Sequence, residues 1–125
     1  MNLKPSKSDR RHPRIPTPQG VWVAWQDVDS PNAKQTVSRV SDLNVGGLFV
    51  TTTEVRPHGA IVSVLLSVPE GEIRATAVVR NSIPGQGMGV EFTEMSQQDS
   101  TRIHLLVTRL LRTQAADASR MNSPT

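Results

Sequence analysis

The stretch EIRATAVVRNSIPGQGMGVEFTE, residues 72–94, reads as two strands joined by a tight reversal. EIRATAVVRN (72–81) and GMGVEFTE (87–94) alternate apolar and polar residues and are rich in β-branched side chains, while IPGQ between them carries the Pro and Gly of a turn. The run Gly85-Gln86-Gly87-Met88-Gly89 resembles a phosphate-binding glycine loop only superficially. It leads into the strand VEF and not into a helix, so its reading is a tight turn with close strand packing.

Upstream the same period recurs in GVWVAWQD (20–27), QTVSRVSD (35–42), GLFVTTT (47–53) and AIVSVLLSV (60–68). DSPNAK, the LNVG turn, the RPHG turn and PEG separate these runs, each with Gly, Pro, Asn or Asp where the chain must reverse. Six short strands in succession predict an all-β fold, a six-stranded antiparallel barrel, because an open sheet this small leaves long edges unprotected. Downstream the period becomes helical. Ser96 can cap a helix whose third position is Asp99, and Ile103, Leu106, Val107, Leu110 and Leu111 recur at helical spacing, predicting a C-terminal α-helix from about 97 to 113 laid on the barrel.

A chain of 125 residues is expected to form one domain. Residues 1–9 are polar and charged and read as a tail, residues 10–113 as the folded domain, and residues 114–125 as a second tail. Pro13, Pro16 and Pro18 stiffen the approach to the first strand. With no cysteine, disulfides, zinc-thiolate centres and cysteine nucleophiles are excluded. No apolar run approaches the roughly 20 residues of a membrane helix, so the expectation is a soluble, cytoplasmic protein without membrane insertion.

Charge divides unevenly along the chain. Residues 1–14 carry Lys4, Lys7, Arg10, Arg11 and Arg14 against Asp9, while the rest holds nine basic and ten acidic residues. An anionic partner should therefore meet the N-terminal arm first. Signals for catalysis are poor. His12, His58 and His104 lack metal-ligand spacing, no serine sits in a G-x-S-x-G context, and Glu91 and Glu94, three apart, fall on opposite strand faces. Neither a catalytic residue nor a metal or cofactor site is expected.

Two polar features remain. Arg10-Arg11-His12-Pro13-Arg14 displays two guanidinium forks four residues apart on a partly stiffened segment, suited to phosphate oxygens or a guanine edge. Asp42-Leu43-Asn44-Val45-Gly46-Gly47 places an acid and an amide on a polar turn at the barrel mouth, followed by two glycines.

Taken together, an arginine pair spaced by three residues and the later Asp42-x-Asn44-x-x-Gly47 resemble the bacterial PilZ domain, whose six-stranded barrel binds cyclic di-GMP. The resemblance covers about residues 10–113 and includes GMGVEF followed by an amphipathic helix. It implies Arg10 and Arg14 as ligands of phosphate and guanine, Arg11 as an auxiliary cation, Asp42 as acceptor for guanine N–H groups, and Gly47 as the position whose missing side chain lets the ligand approach. Asn44 departs from the family's usual serine; it keeps a donor and an acceptor but is longer, so it could bond the ligand from a shifted position or block part of the pocket. Arg80 lies where relatives carry a large residue beside the ligand, and its guanidinium could stack on a guanine face.

The resemblance thus implies a receptor, not an enzyme, whose arm wraps over cyclic di-GMP and whose signal leaves through contact with an unidentified effector protein. A protein-binding adaptor that does not bind the nucleotide is the second reading. Nucleic acid is not the expected partner, because two Trp, two Phe and no Tyr leave few stacking platforms. Trp22 and Trp25, three apart on one strand, should face opposite ways, one into the core and the other toward a partner surface.

Overall fold

The computed structural model describes residues 15–17, 21–29 and 34–121. In chain order its elements are β1 (Ile15–Pro16), β2 (Trp22–Asp27), β3 (Thr36–Asn44), β4 (Gly47–Thr51), β5 (Ile61–Val68), β6 (Gly71–Ile83), β7 (Gly87–Glu94) and helix α1 (Gln97–Met121). The six expected strands are β2 to β7. They pair antiparallel in the order β3-β2-β5-β6-β7-β4, and β4 returns to β3, closing the barrel. The two-residue β1 is an addition, paired to the outer end of β3.

Alternation drives closure. On β5, Val62, Val64 and Leu66 are buried while Ile61 and Ser67 are exposed, and the same period on the other strands turns Val23, Trp25, Val40, Leu48, Val50, Ile73, Ala77 and Val90 into one core. Trp25 is fully buried, with its indole N–H donating to Ser38 Oγ at 3.0 Å, whereas Trp22 is 49% exposed, so the two tryptophans do face opposite ways. Gly85 of the GQGMG run takes a positive φ in the turn, and Gly87 serves packing. A Cβ on Gly87 would lie 2.2 Å from the Val50 carbonyl oxygen, so only glycine lets β7 approach β4.

Helix α1 begins as its sequence indicates. The Asp99 amide donates to Ser96 Oγ at 3.0 Å and the Ser96 hydroxyl donates to Asp99 Oδ2 at 2.6 Å. Ile103, Leu106 and Leu110 bury themselves on the barrel core. Polar clamps fix the rest of the dock. β6 outruns β7, whose pairing stops at Thr76↔Glu94, and the exposed margin is met by the helix. There the Arg74 amide donates to Asp99 Oδ1 at 3.1 Å, and Arg102 Nη1 donates to the Glu72 carbonyl at 2.8 Å.

Two expectations need correction. The helix runs to Met121 instead of about 113, because the loss of apolar periodicity after Leu111 does not end a helix whose following residues, QAADAS, include good helix formers and no Gly or Pro. The segment from 114 is therefore helical over most of its length. Asp42 and Asn44 belong to strand β3, and the turn itself is only Val45–Gly46. The expected tail over residues 1–9 lies outside the described residues, as do residues 122–125.

Candidate ligand-binding face

The end of β3 sets this face. Leu43 is fully buried opposite Leu48, so Asp42 and Asn44 on either side of it turn outward, onto the barrel wall and not into its mouth. A register shift between Val40 and Asp42 leaves Ser41 as the extra residue of a bulge. Thr17, just after β1, holds that bulge: its amide donates to the Ser41 carbonyl at 3.0 Å and its hydroxyl donates to the Val40 carbonyl. The Ser41 hydroxyl donates to Asp42 Oδ2 at 3.3 Å.

Asn44 organises the hairpin that follows. Its Oδ1 accepts from the amides of Gly46, at 2.7 Å, and Gly47, at 2.9 Å, and the residue is 9% exposed. Two backbone donors at the turn are thereby satisfied by a side chain of the right length. The absence of a side chain at Gly47 has a reason within the fold, since a Cβ there would stand 2.1 Å from the Val90 carbonyl oxygen and 3.1 Å from Glu91 Cα.

Register carries the face across the wall. Asn44 pairs with Gly47, Gly47 with Glu91, and Glu91 with Val78. Asp42 pairs with Phe49, and Phe49 with Gly89. Arg80, at a second bulge between Val79 and Asn81, reaches back to Glu91, with Nε 2.6 Å from Oε1. Both side chains are about half exposed, at 55% and 49%. The structure thus brings Asp42, Asn44, Gly47 and, through Glu91, Arg80 onto one wall.

Arg10, Arg11 and Arg14 lie outside the described residues. The chain re-enters at Ile15, which pairs with Leu43, followed by Pro16 opposite Asp42. The place of Glu91 beside Arg80 and Gly47, and the strand β1, left no mark in the sequence, because neither a cross-strand neighbour nor a two-residue strand flanked by prolines gives a periodic signal. A groove of about 760 Å³ lies over the β2–β5–β6 wall, lined by Ala24, Leu65, Arg74, Thr76, Met95 and Asp99 among others; none of Asp42, Asn44, Gly47 or Arg80 borders it. Among the described residues no group of His, Cys, Asp and Glu is arranged to hold a metal, and no helix is long and apolar enough to cross a membrane.

Comparison with known proteins finds a match to the family described as PilZ domain over residues 8–109. Similar solved structures include the PilZ domain of YcgR from Escherichia coli with c-di-GMP, at TM-score 0.68 and 16% identity, covering 88% of this chain and 97% of that one. Another is the MrkH–c-di-GMP complex of K. pneumonia, at TM-score 0.68 and 20% identity, covering 85% of this chain and 53% of that one. A third is the inhibitor of motility MotI/DgrA of Bacillus subtilis, at TM-score 0.64 and 20% identity, covering 86% and 52%. This chain thus spans about half of the latter two proteins, and at such identities the likeness shows the fold. No curated protein sequence matches.

Proposed function

The chain belongs to the PilZ domain family, and from that membership we propose that it is a receptor for cyclic di-GMP, binding through the N-terminal arginines and the outer wall around Asp42. The observation that carries the reading is the register of β1. Ile15 opposite Leu43 and Pro16 opposite Asp42 deliver the chain to the wall one residue after Arg14. Arg10, five residues ahead of Ile15, can range no farther than roughly 18 Å from it. Both forks are therefore tethered within reach of Asp42, and a dianionic dinucleotide can be held between cations from the arm and a carboxylate from the wall.

In this reading Arg10 and Arg14 take phosphate and guanine, with Arg11 as an added cation, and Asp42 accepts from the guanine N–H groups. Arg80 stacks on a base once released from Glu91. The domain binds and does not catalyse, and ordering of the arm changes the surface offered to an effector protein.

Isothermal titration of cyclic di-GMP into the protein, Arg10→Ala and Asp42→Ala tests it. The expected result is binding by the unmodified chain and a loss of ten-fold or more in each variant, as for a hydrogen bond to a charged group. No heat up to high-micromolar ligand would favour the second reading, a protein-binding adaptor. One observation points that way: Asn44 Oδ1 is engaged by the Gly46 and Gly47 amides, so the longer side chain serves the turn.

A further inference from the structure

Arg39 stands on β3 three residues before Asp42, and along an unbroken strand such residues point to opposite faces. The Ser41 bulge cancels that inversion. Arg39 pairs with Thr51 and Asp42 with Phe49, while the intervening Val40–Val50 pair is fully buried, so Arg39 and Asp42 share the outer wall. Their partners on β4 are two residues apart, which separates the two positions by about 7 Å.

Arg39 is also the one arginine among the described residues with a buried side-chain nitrogen that lacks a partner. Its Nε is buried and has no hydrogen-bond partner among the described residues, and its cross-strand neighbours, Trp22 and Thr51, carry no charge. Arg56, Arg74, Arg80 and Arg109 are each paired with a carboxylate. A guanidinium N–H withdrawn from water without a partner is unfavourable for the fold, and beside a binding face it marks a side chain with something to gain by turning toward a ligand.

We propose that Arg39 reads the acceptor edge of a guanine of cyclic di-GMP, an inference that rests on the receptor reading above. Guanine presents N1–H and N2–H donors on one edge and the O6 and N7 acceptors on the next. A carboxylate matches the first and the planar guanidinium fork matches the second. Asp42 and Arg39, neighbours on one wall only because of the bulge, supply that pair. The wall then adds its own reading of one base to the contacts that the arm makes with phosphate and guanine.

The test titrates cyclic di-GMP and its 7-deaza analogue, which lacks the N7 acceptor, into the full chain, Arg39→Gln and Arg39→Lys. The expected results are an about ten-fold or larger loss of cyclic di-GMP affinity in R39Q, partial recovery in R39K, which lacks the fork, and a preference of the unmodified protein for cyclic di-GMP over the 7-deaza analogue that disappears in R39Q. The melting temperature of R39Q should stay close to that of the unmodified protein, since no ion pair or hydrogen bond of Arg39 among the described residues is lost and the shorter amide can turn toward water. Equal losses of both ligands in R39Q would place the contact away from the base edge and overturn the proposal, as would lost affinity accompanied by a lower melting temperature. Undiminished cyclic di-GMP binding by R39Q would overturn it while leaving the receptor reading intact, and failure of the unmodified chain to bind would remove both.

Discussion

Arg109 on α1 bridges to Glu70 in the β5–β6 turn through two parallel hydrogen bonds, Nε to Oε2 at 2.6 Å and Nη2 to Oε1 at 3.2 Å. The Glu70 side chain is only 11% exposed, and the hydrogen bond from Arg109 holds its carboxyl below the ordinary 4.5, against the opposing effect of burial. A depressed folded value means that the pair stabilises the protein above the ordinary glutamate range and that this contribution is lost as pH falls through the lowered value. Glu70→Gln is expected to cost about 1 kcal/mol at neutral pH, kept small by solvent screening on the more exposed Arg109 side, and to flatten the decline of stability below about pH 4.5. Urea midpoints measured across that range check both.

At Gly47 the obstacle to a side chain is backbone, the Val90 carbonyl, which cannot swing aside as a flexible side chain could. Gly47→Ala should therefore lower stability by about 2 kcal/mol or more, through separation of β4 from β7. Thermal melting in the absence of any ligand gives the answer. A variant as stable as the unmodified protein would return the explanation for this glycine to ligand access alone.

Glu91 sets a negative charge on the proposed binding wall and occupies Arg80. Because both side chains are half exposed, Glu91→Ala should change stability by less than about 1 kcal/mol. It should tighten cyclic di-GMP binding several-fold by removing repulsion and releasing Arg80. Arg80→Ala should weaken binding. Titrations of the two variants at low and moderate salt compare these opposite signs.

Much of the architecture was legible in local pattern. The 72–94 hairpin, the six barrel strands and the capped start of the helix each rest on a period or a turn that a few neighbouring residues define, and β7 spans the expected residues 87–94. What escaped depends on distant partners or on breaks in the period. The Ser41 bulge re-aims Arg39 against the alternation that the sequence suggests, and Glu91 comes beside Gly47 only through the pairing of β4 with β7. Asp42 and Asn44 looked like turn residues because their side chains suit turns; Asn44 does support one, but from the last position of a strand. The helix end was missed because helical propensity outlasts amphipathicity.

The margin of β6 that extends past β7 has a consequence for how copies of this protein meet. Asp99 and Arg102 occupy the Arg74 amide and the Glu72 carbonyl, the backbone groups to which an incoming extended segment would otherwise zip. The helix thereby covers that margin, and its removal would bare a sticky rim of backbone groups on which a neighbouring chain could template itself.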